Sequence, residues 1–178
     1  MGNKQDEKKC RMVHILNFAL ARPFASYDEK AKRWRVRKAR GTAEFHGTLR
    51  YTSPNVYYMK EQGCVDDIWS LIFVLVELNG GLPWQTETDR DVVQAMKLDA
   101  KTVMMHMPTC MNGVIPHLEK VEYIHRPDYL MIFKSLWQVM VDEKVNPRTP
   151  FDFEKSEEPA DWEKPDGSFF MTCPIGYD

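Results

Sequence analysis

The chain lacks closely spaced cysteines, a glycine-rich loop, a long apolar run and a strong excess of either charge. Its four cysteines, Cys10, Cys64, Cys110 and Cys173, stand far apart. No C-x-x-C half-site exists, so a structural zinc is not expected and no metal ligand set is assigned. Wide spacing without a secretory leader points to free thiols in a reducing, cytoplasmic or nuclear setting. Gly2 follows the initiator, but Asp6 replaces the Ser or Thr that a myristoylation signal requires. The longest strongly apolar run, Ile68 to Leu78, includes Ser70 and Glu77 and is too short for a bilayer. No membrane association is expected. A net charge of −2 gives the whole chain no pull toward nucleic acid.

What remains is a composition that can build a core. Apolar residues make up 43% of 178, enough for one medium domain. Three segments are expected: a polar N-terminal piece over 1–11, a folded body over 12–155 and an acidic, proline-containing tail over 156–178. Residues 12–16, MVHIL, read as a short strand. Residues 28–40 hold seven basic side chains, Lys30, Lys32, Arg33, Arg35, Arg37, Lys38 and Arg40, and read as a solvated loop. A binder of acidic surfaces or nucleic acid is the weaker alternative for them.

The clearest helix is Asp66–Asn79. Asp66 and Asp67 can cap its start, and Gly80-Gly81 with Pro83 ends it. Its interior is apolar nearly all round, which places it inside a core rather than on a surface. Leu71, Val74, Leu75 and Leu78 form one stripe at helical spacing. A second helix starts near Asp89. Pro108 and Pro116 bracket a short helical stretch at 112–115. A third helix starts near Asp128 and is closed by Pro147 and Pro150. Trp69, Trp84 and Trp137 are expected in the core. The methionines Met104, Met105, Met107 and Met111 read as adaptable packing. His14 and His46 have no ligand spacing.

Several ordered pieces carry a resemblance. They are Gly47-Thr48-Leu49-Arg50-Tyr51-Thr52-Ser53, then Pro54-Asn55, Asp67-Ile68-Trp69-Ser70-Leu71 and Leu82-Pro83-Trp84-Gln85. Gln94-Ala95-Met96-Lys97, Arg126-Pro127-Asp128-Tyr129 and Pro150-Phe151-Asp152-Phe153-Glu154-Lys155 complete the series. Together they resemble the lower lobe of a protein kinase of the casein kinase 1 group, in its tau-tubulin kinase branch, over roughly 12–155. The fold so implied is mainly α, a kinase-like C-terminal lobe. Asn55 stands where most kinases carry the Glu of A-P-E, itself a mark of the group. By this resemblance Thr48, Arg50, Gln85 and Lys97 lie at a substrate-binding position, where Arg50 would grip phosphate on a segment already phosphorylated. An ordinary surface ion pair is the competing role for Arg50, and turn capping that for Thr48. Phe18, Asp67 and Trp69 take structural roles.

The chemistry implied by the family needs more than the chain displays. Phosphoryl transfer requires a phosphate-cradling loop, a strand lysine, a catalytic-loop aspartate and carboxylate-held Mg²⁺. Only 44 residues precede Phe45, and none of these motifs is among them. Asn17-Phe18-Ala19 occupies the D-F-G position. Asn17 offers Mg²⁺ a neutral oxygen where the family offers a charged one. A truncated, catalytically impaired lobe needing neither ATP nor Mg is therefore expected. Its role is a module binding a protein partner or a phosphorylated or acidic segment. The alternative is a serine/threonine kinase of the tau-tubulin type represented by an incomplete chain.

Overall fold

The computed structural model describes residues 13–145 and Thr149. The polar N-terminal piece, the Pro147–Pro150 stop, the Pro150–Lys155 match and the acidic tail lie outside the described residues. The fold is mainly α, as expected. Among the described residues a two-stranded hairpin, β1 (Ala25–Asp28) and β2 (Arg33–Val36), precedes six helices. These are α1 (Pro54–Tyr57), α2 (Cys64–Gly80), α3 (Arg90–Leu98), α4 (Ala100–Val103), α5 (Val114–Leu118) and α6 (Tyr129–Asp142). Single 3-10 turns cover Phe18–Leu20 and Thr109–Met111.

α2 is the axis of the core. Trp69, Ile72, Phe73 and Val76 turn one face inward, against Trp84, Val93, Val103, Met111, Ile115 and Leu118. Trp69 and Phe73 lie 5.6 Å apart between ring centroids, and Phe73 meets Trp84 edge-on at 5.1 Å. Gly63 precedes the helix because a side chain there would strike the Tyr123 carbonyl at 2.9 Å. Gly81 ends it at φ 88°, a conformation open to glycine at little cost. α3 and α6 start where expected: Asp89 accepts from the Asp91 and Val92 N–H groups, and Asp128 from Met131. Met104 and Met111 are buried while Met105 is exposed. Trp69 and Trp84 are in the core; Trp137 is half-buried and stacks on Phe133.

Four expectations are corrected. First, α2 is not enclosed on all sides. Leu71, Val74 and Leu78 are exposed, Leu78 by 78%, so most of the Leu71–Val74–Leu75–Leu78 stripe faces outward, with Leu75 alone partly buried against the core. Composition gives the helix its apolarity but not the order in which its faces are covered. Second, residues 13–16 form no strand and are exposed; an apolar run needs a ladder partner, and among the described residues none pairs with it. Third, the basic loop contains β2, paired antiparallel with β1 in the register Ala25↔Val36 to Asp28↔Arg33. Asp28 makes the turn, its Oδ1 accepting from the Lys30 and Ala31 N–H groups at 3.0 Å each. Arg33-Trp34-Arg35-Val36 has period two, the strand signal that the charge obscured. Fourth, Pro116 lies inside α5 rather than after it, in the first turn, where a missing N–H costs no helical hydrogen bond.

Candidate functional site

The segment from Gly47 to Asn55 is folded down onto α2 and held by the Asp66 and Glu77 carboxylates, the Lys97 ammonium and the Trp84 indole. Its turn is made by the Thr48 carbonyl, which accepts from the Tyr51 N–H at 2.9 Å and the Thr52 N–H at 3.1 Å. The Thr48 side chain is exposed, so backbone rather than hydroxyl does the capping. Ser53 and Asn55 donate to Oδ1 of Asp66, Asn55 at 3.0 Å, and the Gly63 N–H donates to Oδ2 at 2.7 Å. Asp66 is 4% exposed and sits in the first turn of α2, where the positive end of the helix dipole also favours it.

Arg50 is tied down on α2. Its Nη1 donates to Oε1 of Glu77 at 3.1 Å, and its Nη2 points at the Gln85 carbonyl at 3.4 Å. Tyr51 donates to the other Glu77 oxygen at 2.6 Å, and the Trp84 indole N–H donates to the Arg50 carbonyl at 2.9 Å. Arg50 is therefore held as one half of a part-exposed ion pair, with 40% of its side chain open. The Gln85 side chain is exposed nearby. Any anion approaching Arg50 competes with Glu77 for the same guanidinium.

Lys97 is not on this surface, which corrects the substrate-binding expectation for it. It is 0% exposed. Its Nζ donates to the Leu49 carbonyl at 2.7 Å and the Thr52 carbonyl at 2.6 Å, with Thr52 Oγ1 at 3.5 Å. The Phe73, Tyr57 and Trp84 ring centroids lie 4.8, 5.2 and 5.4 Å from Nζ. Among the described residues no carboxylate pairs with it. Burial pulls its ammonium down to about 7. Lys97 thus staples the Leu49–Thr52 turn from beneath.

Asp67 does not cap α2; that part falls to Asp66, one residue earlier, which faces the Gly63 N–H. Asp67 is exposed and accepts no hydrogen bond among the described residues. Partial burial, with the charge of Asp66, pushes its carboxyl up. Phe18 does not take the structural, packing role expected of it: it is 67% exposed. Asn17 adopts the left-handed region at φ 62°, ψ 70°, and its side chain makes no capping bond. As a donor set for a divalent cation this corner does not fit. It supplies one neutral amide oxygen, and among the described residues no three His, Cys, Asp or Glu side chains gather as a metal cluster. No helix among the described residues is long and apolar enough to cross a membrane.

The sequence reading missed Glu61 and Glu77. Glu61, 8% exposed, binds Arg40 through both oxygens, Nη2–Oε1 at 2.9 Å, and Arg22 at 3.3 Å. It thereby ties both roots of the basic hairpin to the approach to α2. Arg40 holds the Glu61 carboxyl below its usual range. Only charge excess at 28–40 hinted that an acid must meet it; no local spacing points to a partner 21 residues away.

No family model matches the chain. Among curated proteins it is 50% identical to "Inactive tau-tubulin kinase ttbk-6" of Caenorhabditis elegans, across 98% of this chain and 63% of that protein. It is 32% identical to a "Probable serine/threonine-protein kinase" of Dictyostelium discoideum, across 82% of this chain and 29% of that protein. It is 24% identical to "Serine/threonine-protein kinase spe-6" of C. elegans, across 82% of this chain and 40% of that protein. The chain spans less than two thirds of the length of each. Kinase-like motifs that fall in order along a helical lobe, and relatives that are kinases by name, point the same way: the chain is similar to members of the protein kinase superfamily, and in particular resembles the tau-tubulin kinases of the casein kinase 1 group.

Proposed function

We propose that this kinase-like segment transfers no phosphate and serves as a protein-binding module. Asn17 carries the reading. At the position where the family places a metal-holding aspartate, it contributes a neutral amide, and Mg²⁺ favours hard anionic oxygen. Without that metal, the charge that develops during phosphoryl transfer has no counter-ion at this corner. The name of the C. elegans relative, inactive tau-tubulin kinase, supports the same reading. Neither ATP nor Mg is needed for such a role. The interior is kept for packing: Asp66, Lys97 and Glu77 brace the Gly47–Asn55 segment rather than reach outward.

The test is a thermal melt of the 178-residue chain with millimolar Mg-ATP, paired with transfer of labelled phosphate to casein. A ligand at 100 times its dissociation constant adds roughly 2.7 kcal/mol to a folded state that alone binds it. The expected result is no shift and no transfer, for the natural chain and for Asn17→Asp. A clear rise in melting temperature, or labelled casein above a no-protein control, overturns the proposal.

A further inference from the structure

The basic hairpin is rooted firmly and exposed at its tip. Glu61 clamps Arg22 and Arg40 at its two ends. Between them the chain carries six further cations. Arg35 is paired with Asp28 at 2.9 Å, and Lys32 lies 3.8 Å from the exposed Glu29. Lys30, Arg33, Arg37 and Lys38 have no carboxylate partner among the described residues, and all four are exposed.

β2 sorts these charges by side. Arg33 and Arg35 are exposed while Trp34 and Val36 are half-buried, so charge lies on one face and the Trp34–Tyr27 aromatic pair, 5.6 Å between centroids, on the other. The ladder also has a free side. Arg37 donates its N–H to the Phe24 carbonyl at 2.9 Å, which makes Phe24–Arg37 a hydrogen-bonded pair. Alternation then turns the N–H and C=O groups of Arg35 and Arg33 toward β1, and those of Trp34 and Val36 away from it. Trp34 and Val36 have no backbone partner among the described residues. An edge of this kind is open to a further strand.

We propose that the outer edge of β2 docks an extended acidic segment of another protein, which adds as a third strand with acidic side chains at every second position facing Arg33, the Asp28-paired Arg35 and Arg37. The backbone groups of Trp34 and Val36 supply the ladder, and the guanidinium groups select carboxylates two residues apart. Single-stranded nucleic acid fits less well, because stacking needs aromatic rings on the face that meets the phosphates. Here rings and guanidinium groups lie on opposite faces. The proposal rests on the binding-module reading and names the partner chemistry for it.

The probe is an octapeptide alternating Thr and Glu, followed by fluorescence polarisation with the full chain. Its controls are an octapeptide of equal composition with the four Glu in one block, and the alternating peptide N-methylated at alternate residues. Alternation should bind roughly tenfold tighter than the block, and N-methylation should abolish that advantage while the charge is kept. Arg33→Ala and Arg37→Ala should each weaken binding by roughly tenfold, whereas Lys120→Ala should not. The affinity should fall as salt rises from about 50 to 200 mM. Equal binding of alternating and block peptides, or full binding after N-methylation, overturns strand addition. An oligonucleotide of equal charge that binds more tightly than the peptide, and depends on Arg33, overturns the choice of partner. Phosphate transfer to casein would instead remove the reading beneath it, so the two failures are separable.

Discussion

Asn55 donates its side-chain amide to Asp66 at 3.0 Å, and this bond explains why an amide suits the position where most kinases carry a carboxylate. Asp66 is buried and already accepts from Ser53 and Gly63. A glutamate at 55 would set a second negative charge against it with no donor to offer. Asn55→Glu is expected to destabilise the chain by about 1–3 kcal/mol, the cost of an unmade charge-assisted bond. Urea melts check this, with Asn55→Ala as the control for the lost bond alone. If Asn55→Glu is no less stable than Asn55→Ala, repulsion from Asp66 is not what the amide avoids.

Asp67 presents the opposite case. It is exposed, makes no bond among the described residues and is pushed up by partial burial and by Asp66. A carboxyl whose folded pKa is raised costs stability once both states are ionised, and that cost disappears as pH falls through the raised value. Asp67→Asn is therefore expected to be neutral or stabilising at pH 7, whereas Asp66→Asn is destabilising. Equal losses in thermal melts of the two variants would show that Asp67 has a structural partner after all.

How much of this was legible from sequence depends on whether the signal is local. Asp89, Asp128, Gly81 and the start of α2 were readable because caps and glycine stops act within a few residues. The strand at 33–36 was present as alternation, but seven cations hid it. The covered face of α2 was not legible. Leu71, Val74 and Leu78 are as apolar as Ile72, Phe73 and Val76, and only tertiary order decides which set is buried. The site shows the same division. The Gly47–Ser53 segment and Trp84 announced themselves as motifs. The inward turn of Lys97 and the clamp by Glu61 depend on residues 20 to 50 positions away, and no spacing rule reaches that far.

That division predicts which side of α2 matters. Ile72 is 0% exposed and Leu78 is 78% exposed. Ile72→Ala is expected to cost about 2–5 kcal/mol, a large share of a total near 5–15 kcal/mol. Leu78→Ser is expected to stay within about 0.5 kcal/mol and to reduce self-association, since it removes part of an exposed apolar patch. Urea melts and light scattering on both variants decide the matter. A destabilised Leu78→Ser beside an intact Ile72→Ala would invert the faces.

Lys97 makes the stability of the fold depend on pH. Burial pulls its folded pKa to about 7, while the unfolded chain keeps an ordinary value near 10.4. Between these values the unfolded state binds more protons than the folded state, so stability rises with pH. Below about 7 the lysine is charged in both states and its full desolvation cost is present. As pH climbs the folded state releases the proton and the cost is relieved. The useful window closes near 9, because Cys64 and Tyr129 are pushed up, Tyr129 to about 12, and groups with raised values lose stability as pH rises through their own range. One pKa unit corresponds to about 1.4 kcal/mol, so a gain of up to about 2–3 kcal/mol from pH 7 to 9 is the upper bound for this group. Lys97→Met removes the titration and leaves the Leu49 and Thr52 carbonyls without their donor, so it should be less stable at pH 9 and nearly flat between 7 and 9. Chemical denaturation of both proteins at pH 7, 8 and 9 provides the comparison. Parallel profiles for the natural chain and Lys97→Met would mean that Lys97 keeps an ordinary pKa, and that the turn carrying Arg50 is held over a water-accessible ammonium rather than a buried one.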